Sequence, residues 1–179
     1  FHHKLKKGAI DQKRGKVFTR HAYLIMVAAR KGGDPLMNPS LRIAIDNAKA
    51  DNVPNANIER AVKRGTGELK DKAEISEVTY EGYGPGGIAF MVECLTDNKN
   101  RTLTNLRTLF DKNGGHLGNS GSVAYLFERK EGNLHPKYPT KIEDLETVKK
   151  VVTFLEALED DLDVTKVITN GDLPEELLA

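Results

Sequence analysis

The 179-residue chain has one cysteine, Cys94, no tryptophan, and only 6% aromatic residues. A lone cysteine excludes an internal disulfide and fits a reducing compartment. Scarce aromatics leave little for stacking on nucleic-acid bases: Phe18 alone lies close to the most basic stretch, where a core role explains it better. No run approaches the ~20 apolar residues that a membrane span needs; the longest, residues 22–29, is closed off by His21 and Arg30. A secretory leader with its small-residue cleavage site is also missing. No membrane partner is expected, and the expected location is the cytoplasm.

Catalytic and metal-binding constellations are equally sparse. Cys94 sits in the apolar run Met91-Val92-Glu93-Cys94-Leu95 without a neighbouring histidine, so it reads as a packing residue, not a nucleophile. His116, in Gly114-Gly115-His116-Leu117-Gly118, reads as a surface turn residue without an acidic partner. His2 and His3 are adjacent and point to different sides of any regular element, with no carboxylate or thiol at metal-ligand spacing. Glu159-Asp160-Asp161-Leu162-Asp163 lacks the alternating acids, central glycine and terminal glutamate of a calcium loop and reads as a solvated helix end. The glycines between positions 114 and 121 lack the Lys-Ser/Thr of a phosphate-binding P-loop. No catalytic residue, metal, cofactor or small-molecule substrate is expected, and the chain reads as a non-enzyme.

What is present is a partition of charge hidden by the net value of +1. Residues 1–70 hold fifteen Lys+Arg against six Asp+Glu, whereas residues 71–179 hold twelve against twenty. A segment with nine excess positive charges in seventy residues repels itself, and its natural partner is a polyanion that it binds with release of counterions.

Hydrophobic periodicity gives the organisation. Residues 9–31 read as a helix stopped by Gly32-Gly33-Asp34-Pro35. Asn38-Pro39-Ser40 starts a second helix with Leu41, Ile45 and Ala48 on one stripe, and Pro54 starts a third that carries Ile58, Ala61 and Val62 and ends at Gly65. Together they predict a basic three-helix bundle over residues 1–70. Burial of the apolar stripes drives Lys6, Lys7, Lys13, Arg14, Lys16 and Arg20 of the first helix, with Arg60, Lys63 and Arg64 of the third, outward as the candidate nucleic-acid-binding set. Residues 71–179 read as an α+β domain: strands at 78–80 and 87–96, a helix at 99–112 with Leu103, Leu106, Leu109 and Phe110 inward, and a strand at 122–128. A strand at 137–142, a helix at 143–158 and a strand at 164–169 follow. The expected class is α+β, a helical bundle followed by a ferredoxin-like sheet with helices on one face.

Tyr80-Glu81-Gly82-Tyr83-Gly84-Pro85-Gly86-Gly87 joins the first two of these strands. Its glycines accept positive φ and Pro85 fixes one φ, so a tight corner is expected. Gly82, Gly84 and Gly87 also match the dinucleotide-binding pattern, but that pattern must open a helix, and here it opens a strand.

This corner, with Leu95-Thr96-Asp97-Asn98-Lys99-Asn100-Arg101, Lys7-Gly8-Ala9, Lys13-Arg14-Gly15-Lys16, Asn57-Ile58-Glu59-Arg60-Ala61, Lys63-Arg64-Gly65-Thr66-Gly67 and the segment Gly121-Ser122-Val123-Ala124-Tyr125-Leu126-Phe127-Glu128-Arg129-Lys130, resembles the YebC family. The match is dense over residues 4–130 and looser over 135–179. The resemblance implies a DNA-binding transcriptional regulator of bacterial type. A mitochondrial relative of that family is the translational activator of cytochrome c oxidase, and ribosome association is proposed for the family. In one respect the chain departs from the pattern: the family carries a further α/β domain after the segment matching Phe127-Glu128-Arg129-Lys130, whereas here residues 131–135 pass almost directly to the final elements. Either that domain is missing near residues 130–135 or its residues are absent from the chain.

The expected function is therefore a non-enzymatic nucleic-acid-binding regulator of gene expression, with DNA-binding transcription regulation as the first reading. The alternative is a translation factor on ribosomal or messenger RNA, which the same basic surface serves equally well. A protein-interaction module docking on an acidic partner is the third.

Overall fold

Asn38 joins the first two helices. Its Oδ1 accepts from the Leu41 amide at 3.1 Å, capping the second helix, while its Nδ2 donates to the carbonyls of Ala28 and Gly32, each at 2.9 Å, at the end of the first. One buried side chain thus satisfies orphan groups on both helix ends. The computed structural model describes residues 2–69 and 74–174, with side chains from residue 14 onward, and the chain divides into two units, Phe1–Ile75 and Ser76–Ala179.

The first unit holds α1 (His2–Ala29), α2 (Pro39–Ala50) and α3 (Asn55–Thr66). α1 begins well before the expected Ala9. Pro39 occupies the first turn of α2, where its missing N–H costs nothing. The core is Ile25, Met26 and Ala29 of α1, Leu41 and Ala48 of α2, Ile58 and Ala61 of α3, and Val53 between them. A contact of 2.6 Å between His21 Nε2 and Asp51 Oδ2 pins α1 to the end of α2.

The third helix does not end at Gly65, as its sequence predicts. It continues to Thr66, and Gly67, at φ 83°, takes the left-handed cap. Gly65 has a different task. A Cβ built on it would lie 2.4 Å from the Met26 carbonyl oxygen and 2.7 Å from Ala29 Cβ, so its missing side chain is what lets α3 lie against α1.

In the second unit β1 (Ser76–Tyr83) and β2 (Ala89–Thr96) form a hairpin through a 3-10 turn at Pro85–Gly87. Then come α4 (Lys99–Lys112), β3 (His116–Leu117), β4 (Phe127–Lys130), β5 (Asn133–Pro136), β6 (Thr140–Lys141), α5 (Leu145–Asp160), β7 (Val164–Thr169) and β8 (Gly171–Asp172). The main sheet is antiparallel in the order β3-β1-β2-β7, β4 pairs with β5, and β6 pairs in parallel with β8. The mixed α+β class is the expected one. Within it, the two central strands are a single hairpin, and both helices cover one face.

Phe90, Val92 and Cys94 of β2 pack on that face against Leu106 and Phe110 of α4 and Val148, Val151, Phe154 and Leu158 of α5. The ring of Phe154 stands edge-on to Phe90 and Phe110, with centroids 4.9 and 4.8 Å away. On the other face Ala89, Met91 and Ile168 meet Val123 and Phe127. Being covered on both sides, β2 reads as an apolar run from Ala89 to Leu95 broken only by the partly exposed Glu93.

Two local expectations change. Residues 122–128 are not one strand: a 3-10 turn at Ala124–Leu126 precedes β4. The β4–β5 hairpin went unpredicted because its two-residue turn is Glu131-Gly132, at φ 54° and 82°. Both residues have the positive φ of a tight hairpin turn, but glutamate does not announce one as asparagine would.

If Gly65 is required for close approach, Gly65→Ala destabilises the chain despite the better helix propensity of alanine, which is worth up to about 1 kcal/mol. Overpacking at a backbone contact costs about 1–3 kcal/mol, so a thermal melt should show Tm falling by several degrees, and an unchanged Tm would refute the contact.

Candidate nucleic-acid interface

The three cations of α3 follow from its periodicity. Ile58, Ala61 and Gly65 face α1, so Arg60 and Lys63, three apart, share the outward side, with Arg64 at its margin and its Nε shielded from solvent. Arg60 and Lys63 are exposed and Arg64 is half-buried. Among the described residues the side chains of Arg60 and Lys63 make no hydrogen bond or ion pair, whereas Arg64 is engaged. Lys63 also lines a groove of about 520 Å³ between α2 and α3 together with Glu59 and Glu68, which tempers the positive potential there.

On α1, Arg14 and Lys16 are exposed, and Arg20 is half-buried with its Nε shielded from solvent. Lys16 and Arg20 are one turn apart and both already interact with neighbours, whereas Arg14 has no side-chain partner among the described residues. Lys6, Lys7 and Lys13 lie on α1 by backbone, and their side chains fall outside the described residues. The structure therefore brings Arg60 and Lys63 onto one helix face, with Arg64 at its margin, and leaves Arg14, Lys16 and Arg20 on α1.

The sites weighed against this interface have structural explanations. The glycine corner joins two antiparallel strands by one 3-10 turn, so the glycines do not lead into a helix as the dinucleotide pattern requires. Gly82 and Gly84 are there for space: a Cβ on Gly82 would reach 2.4 Å from the His116 carbonyl, and one on Gly84 would reach 2.5 Å from the Phe90 ring. His116 is an exposed residue of β3, paired with Tyr83. Among the described residues, no group of three or more His, Cys, Asp or Glu is placed to hold a metal. No helix of the described residues is long and apolar enough to cross a membrane.

The acidic run at 159–163 is more than a solvated helix end. Asp163 is 1% exposed and accepts from Arg101 Nη2 at 2.7 Å and Nε at 3.3 Å, and from Thr102 Oγ1 at 2.7 Å. Arg101 also donates to Asp97 at 2.9 Å, and Thr102 Oγ1 lies 2.8 Å from Thr96 Oγ1. Asn98 caps α4 by accepting from the Arg101 amide at 3.1 Å. Thus Thr96, Asp97, Asn98, Arg101 and Thr102 build the start of α4 and clamp it to the turn before β7. Asp163 was missed because its partner lies sixty-two residues away. The Asp163 carboxylate holds Arg101 even more firmly protonated than usual.

Cys94 is buried at 2% exposure, and burial first, then the nearby charges of Asp161, Asp163 and Glu93, push its thiol up to about 12. Burial and a raised thiol both disfavour the thiolate at neutral pH, as a packing residue requires.

Two outcomes follow. Asp163→Ala strands Arg101 and Thr102 and should cost about 3 kcal/mol, the low end for a broken buried pair because Arg101 still reaches water; a denaturant titration reads it, and a loss below about 1 kcal/mol would reduce the clamp to a surface pair. The Cys94 thiol, raised in the folded state, loses its proton first in the unfolded chain. Its contribution is thus complete below the ordinary thiol value of about 8.5 and declines as pH climbs toward about 12. Stability should therefore fall less steeply above pH ~9 in Cys94→Ala than in the parent chain, and parallel curves would contradict this.

Comparison with known proteins places these features in a lineage. Residues 2–68 match the TACO1/YebC protein N-terminal domain, and residues 75–132 match the TACO1/YebC second and third domain. A probable transcriptional regulatory protein of Maridesulfovibrio salexigens is 39% identical over 233 residues, covering 97% of this chain and 94% of that protein. That alignment is longer than the chain, so the relative carries residues with no counterpart here. Similar proteins of the same description from Akkermansia muciniphila and Bacillus subtilis are 62% and 59% identical over 69% and 70% of the chain. The chain matches only about half the length of those two, 49% and 52%. The crystal structure of the conserved hypothetical protein Aq1575 from Aquifex aeolicus superposes with a TM-score of 0.83 at 36% identity, covering 95% of each chain. With both of its units matched in order and the fold shared, this chain belongs to the TACO1/YebC family.

Proposed function

We propose that the chain is a non-enzymatic regulator of gene expression that binds nucleic acid through its basic helical unit, with DNA as the first target. The observation that carries this is the outward face of α3: Arg60 and Lys63 are exposed there with no side-chain partner among the described residues, in a unit with nine excess positive charges. Arg14, Lys16 and Arg20, with Lys6, Lys7 and Lys13, extend the cationic set along α1. Such groups meet phosphates and supply affinity without reading sequence. The relatives described as probable transcriptional regulatory proteins support a regulatory role, and no reaction is assigned because no nucleophile, base and orienting group are assembled among the described residues.

The second reading is a translation factor on ribosomal or messenger RNA. It is favoured by the matched profiles, which share the name of the mitochondrial translational activator, and by shape recognition of folded RNA, which needs no aromatic platform. We also propose that the family's inserted domain is absent near residues 130–135, because Glu131-Gly132 closes the β4–β5 hairpin directly.

The charge reversal Arg60→Glu, Lys63→Glu should sharply weaken binding to generic duplex with little change in Tm, because both side chains are exposed and without a partner among the described residues. In the parent chain affinity should fall about 0.9 decade per decade of salt for each phosphate contacted. A flat salt response, or no binding at low salt, would point instead to a module for acidic protein partners. Crosslinking in cells separates the two nucleic-acid readings: recovery of ribosomal RNA alone would defeat DNA as the target.

A further inference from the structure

A second electropositive feature lies in the acidic unit. A cleft of about 460 Å³ is lined by Pro85 and Gly86 of the corner, Lys112, Asn113 and Gly114 at the end of α4, and Lys149, Lys150 and Thr153 of α5. Three lysines converge here and no carboxylate lines the wall, although residues 71–179 carry eight excess negative charges. The side chains of Lys112 and Lys149 are exposed and make no hydrogen bond or ion pair among the described residues, and Lys150 pairs only with Glu146, at 3.4 Å across one helical turn.

Helix stability does not account for all three. Lys112 is favoured where it stands, in the last turn of α4. α5, however, has no basic residue in its last turn, where the dipole would favour one, and places Lys149 and Lys150 toward its start. The backbone is bare at one point of the wall. Gly114 sits at φ 75°, and a Cβ on it would meet nothing within 4 Å, so the main chain is open to the cleft there, whereas a Cβ on Gly86, at φ 71°, would lie 2.7 Å from Thr147 Cγ2. Lysine ammonium groups around an open main-chain turn offer point charges and N–H donors of the kind that hold a phosphate.

We propose that this cleft is a phosphate-binding site, with Lys112 and Lys149 as its principal cations. The phosphate is either a backbone phosphodiester of the nucleic acid or that of a free nucleotide. In its first form the proposal rests on the function proposed above and extends the contact to the second unit.

The test is amide NMR on the full chain, titrated separately with a 12-nucleotide single strand and with AMP, in the parent and in Lys112→Gln/Lys149→Gln. The Gly86, Asn113 and Gly114 amides should shift in the parent and not in the variant, whose Tm should match the parent's because both lysines are exposed. If the oligonucleotide shifts them, the source is the nucleic-acid backbone, and the slope of log affinity against log salt should drop by about 0.7 for each lysine neutralised. If AMP alone shifts them, the site is nucleotide-binding and independent of the basic helices. If the oligonucleotide binds with its full salt slope in both proteins and neither probe moves these amides, the cleft proposal falls while the function proposed for the helical unit stands. If AMP moves them and the chain binds neither the single strand nor the generic duplex of the test above, that function falls and the cleft stands.

Discussion

The second unit is organised around backbone approaching closer than any side chain would allow. At Gly82 the strand β1 lies against β3, at Gly84 the chain turns over the rings of Phe90 and Phe154, and at Gly115 the loop after α4 comes so near that a Cβ would sit 2.3 Å from the Tyr83 carbonyl. These contacts seat the central hairpin under both helices, and the edge-on rings of Phe90, Phe110 and Phe154 then close the core. A methyl group at Gly82 or Gly115 would collide with backbone, which cannot rotate aside as a side chain can. The corner that seemed a possible phosphate loop is thus a packing device first. Its edge at Pro85 and Gly86, packed on Thr147 of α5, also forms part of the wall of the cleft between α4 and α5.

The helical unit uses the same device against backbone at Gly65, and a polar one at Asn38. Both were visible as residues in the sequence, but only the second was legible as a role. An Asn-Pro pair before an apolar stripe has one common use, capping a helix whose first turn takes the proline. A glycine in the last turns of a helix has two, and the sequence supplies both candidates, Gly65 and Gly67. Which one takes the left-handed conformation depends on how closely α1 packs, a tertiary fact that periodicity does not contain.

The same distinction divides the rest of the fold and the site. Periodicity located β1, β2, α4, α5 and β7, because each buries a face large enough to show in composition. It missed the β4–β5 hairpin, whose turn depends on an unusual glutamate at positive φ, and it missed the buried Asp163, because an ion pair between distant residues leaves no local pattern. The outward cations of α3 were legible by elimination, since Ile58 and Ala61 fix the inward side. The lysines of the cleft were not, because they come from two helices that are adjacent only in the folded chain and stand in a region whose average charge is negative.

Net charge by region therefore identifies a partner class but not the whole contact surface. An electrostatic field at a surface is set by the charges within about one Debye length, about 8–10 Å at ordinary ionic strength. Lys112 and Lys149, without an ion-pair partner among the described residues, supply the positive charge of the cleft at that range, while Lys150 is offset by Glu146 at 3.4 Å. Several acidic residues of the second unit are engaged away from the cleft, Asp97 and Asp163 on Arg101, Glu93 on Arg129, Glu128 on Lys130 and Asp144 on the cap of α5, while Glu146 offsets the cleft's own Lys150. Carboxylates held in such pairs have much of their field cancelled at short range, which leaves Lys112 and Lys149 to dominate their own surroundings. A polyanion approaching that side meets local attraction instead of the repulsion that the region's total charge implies.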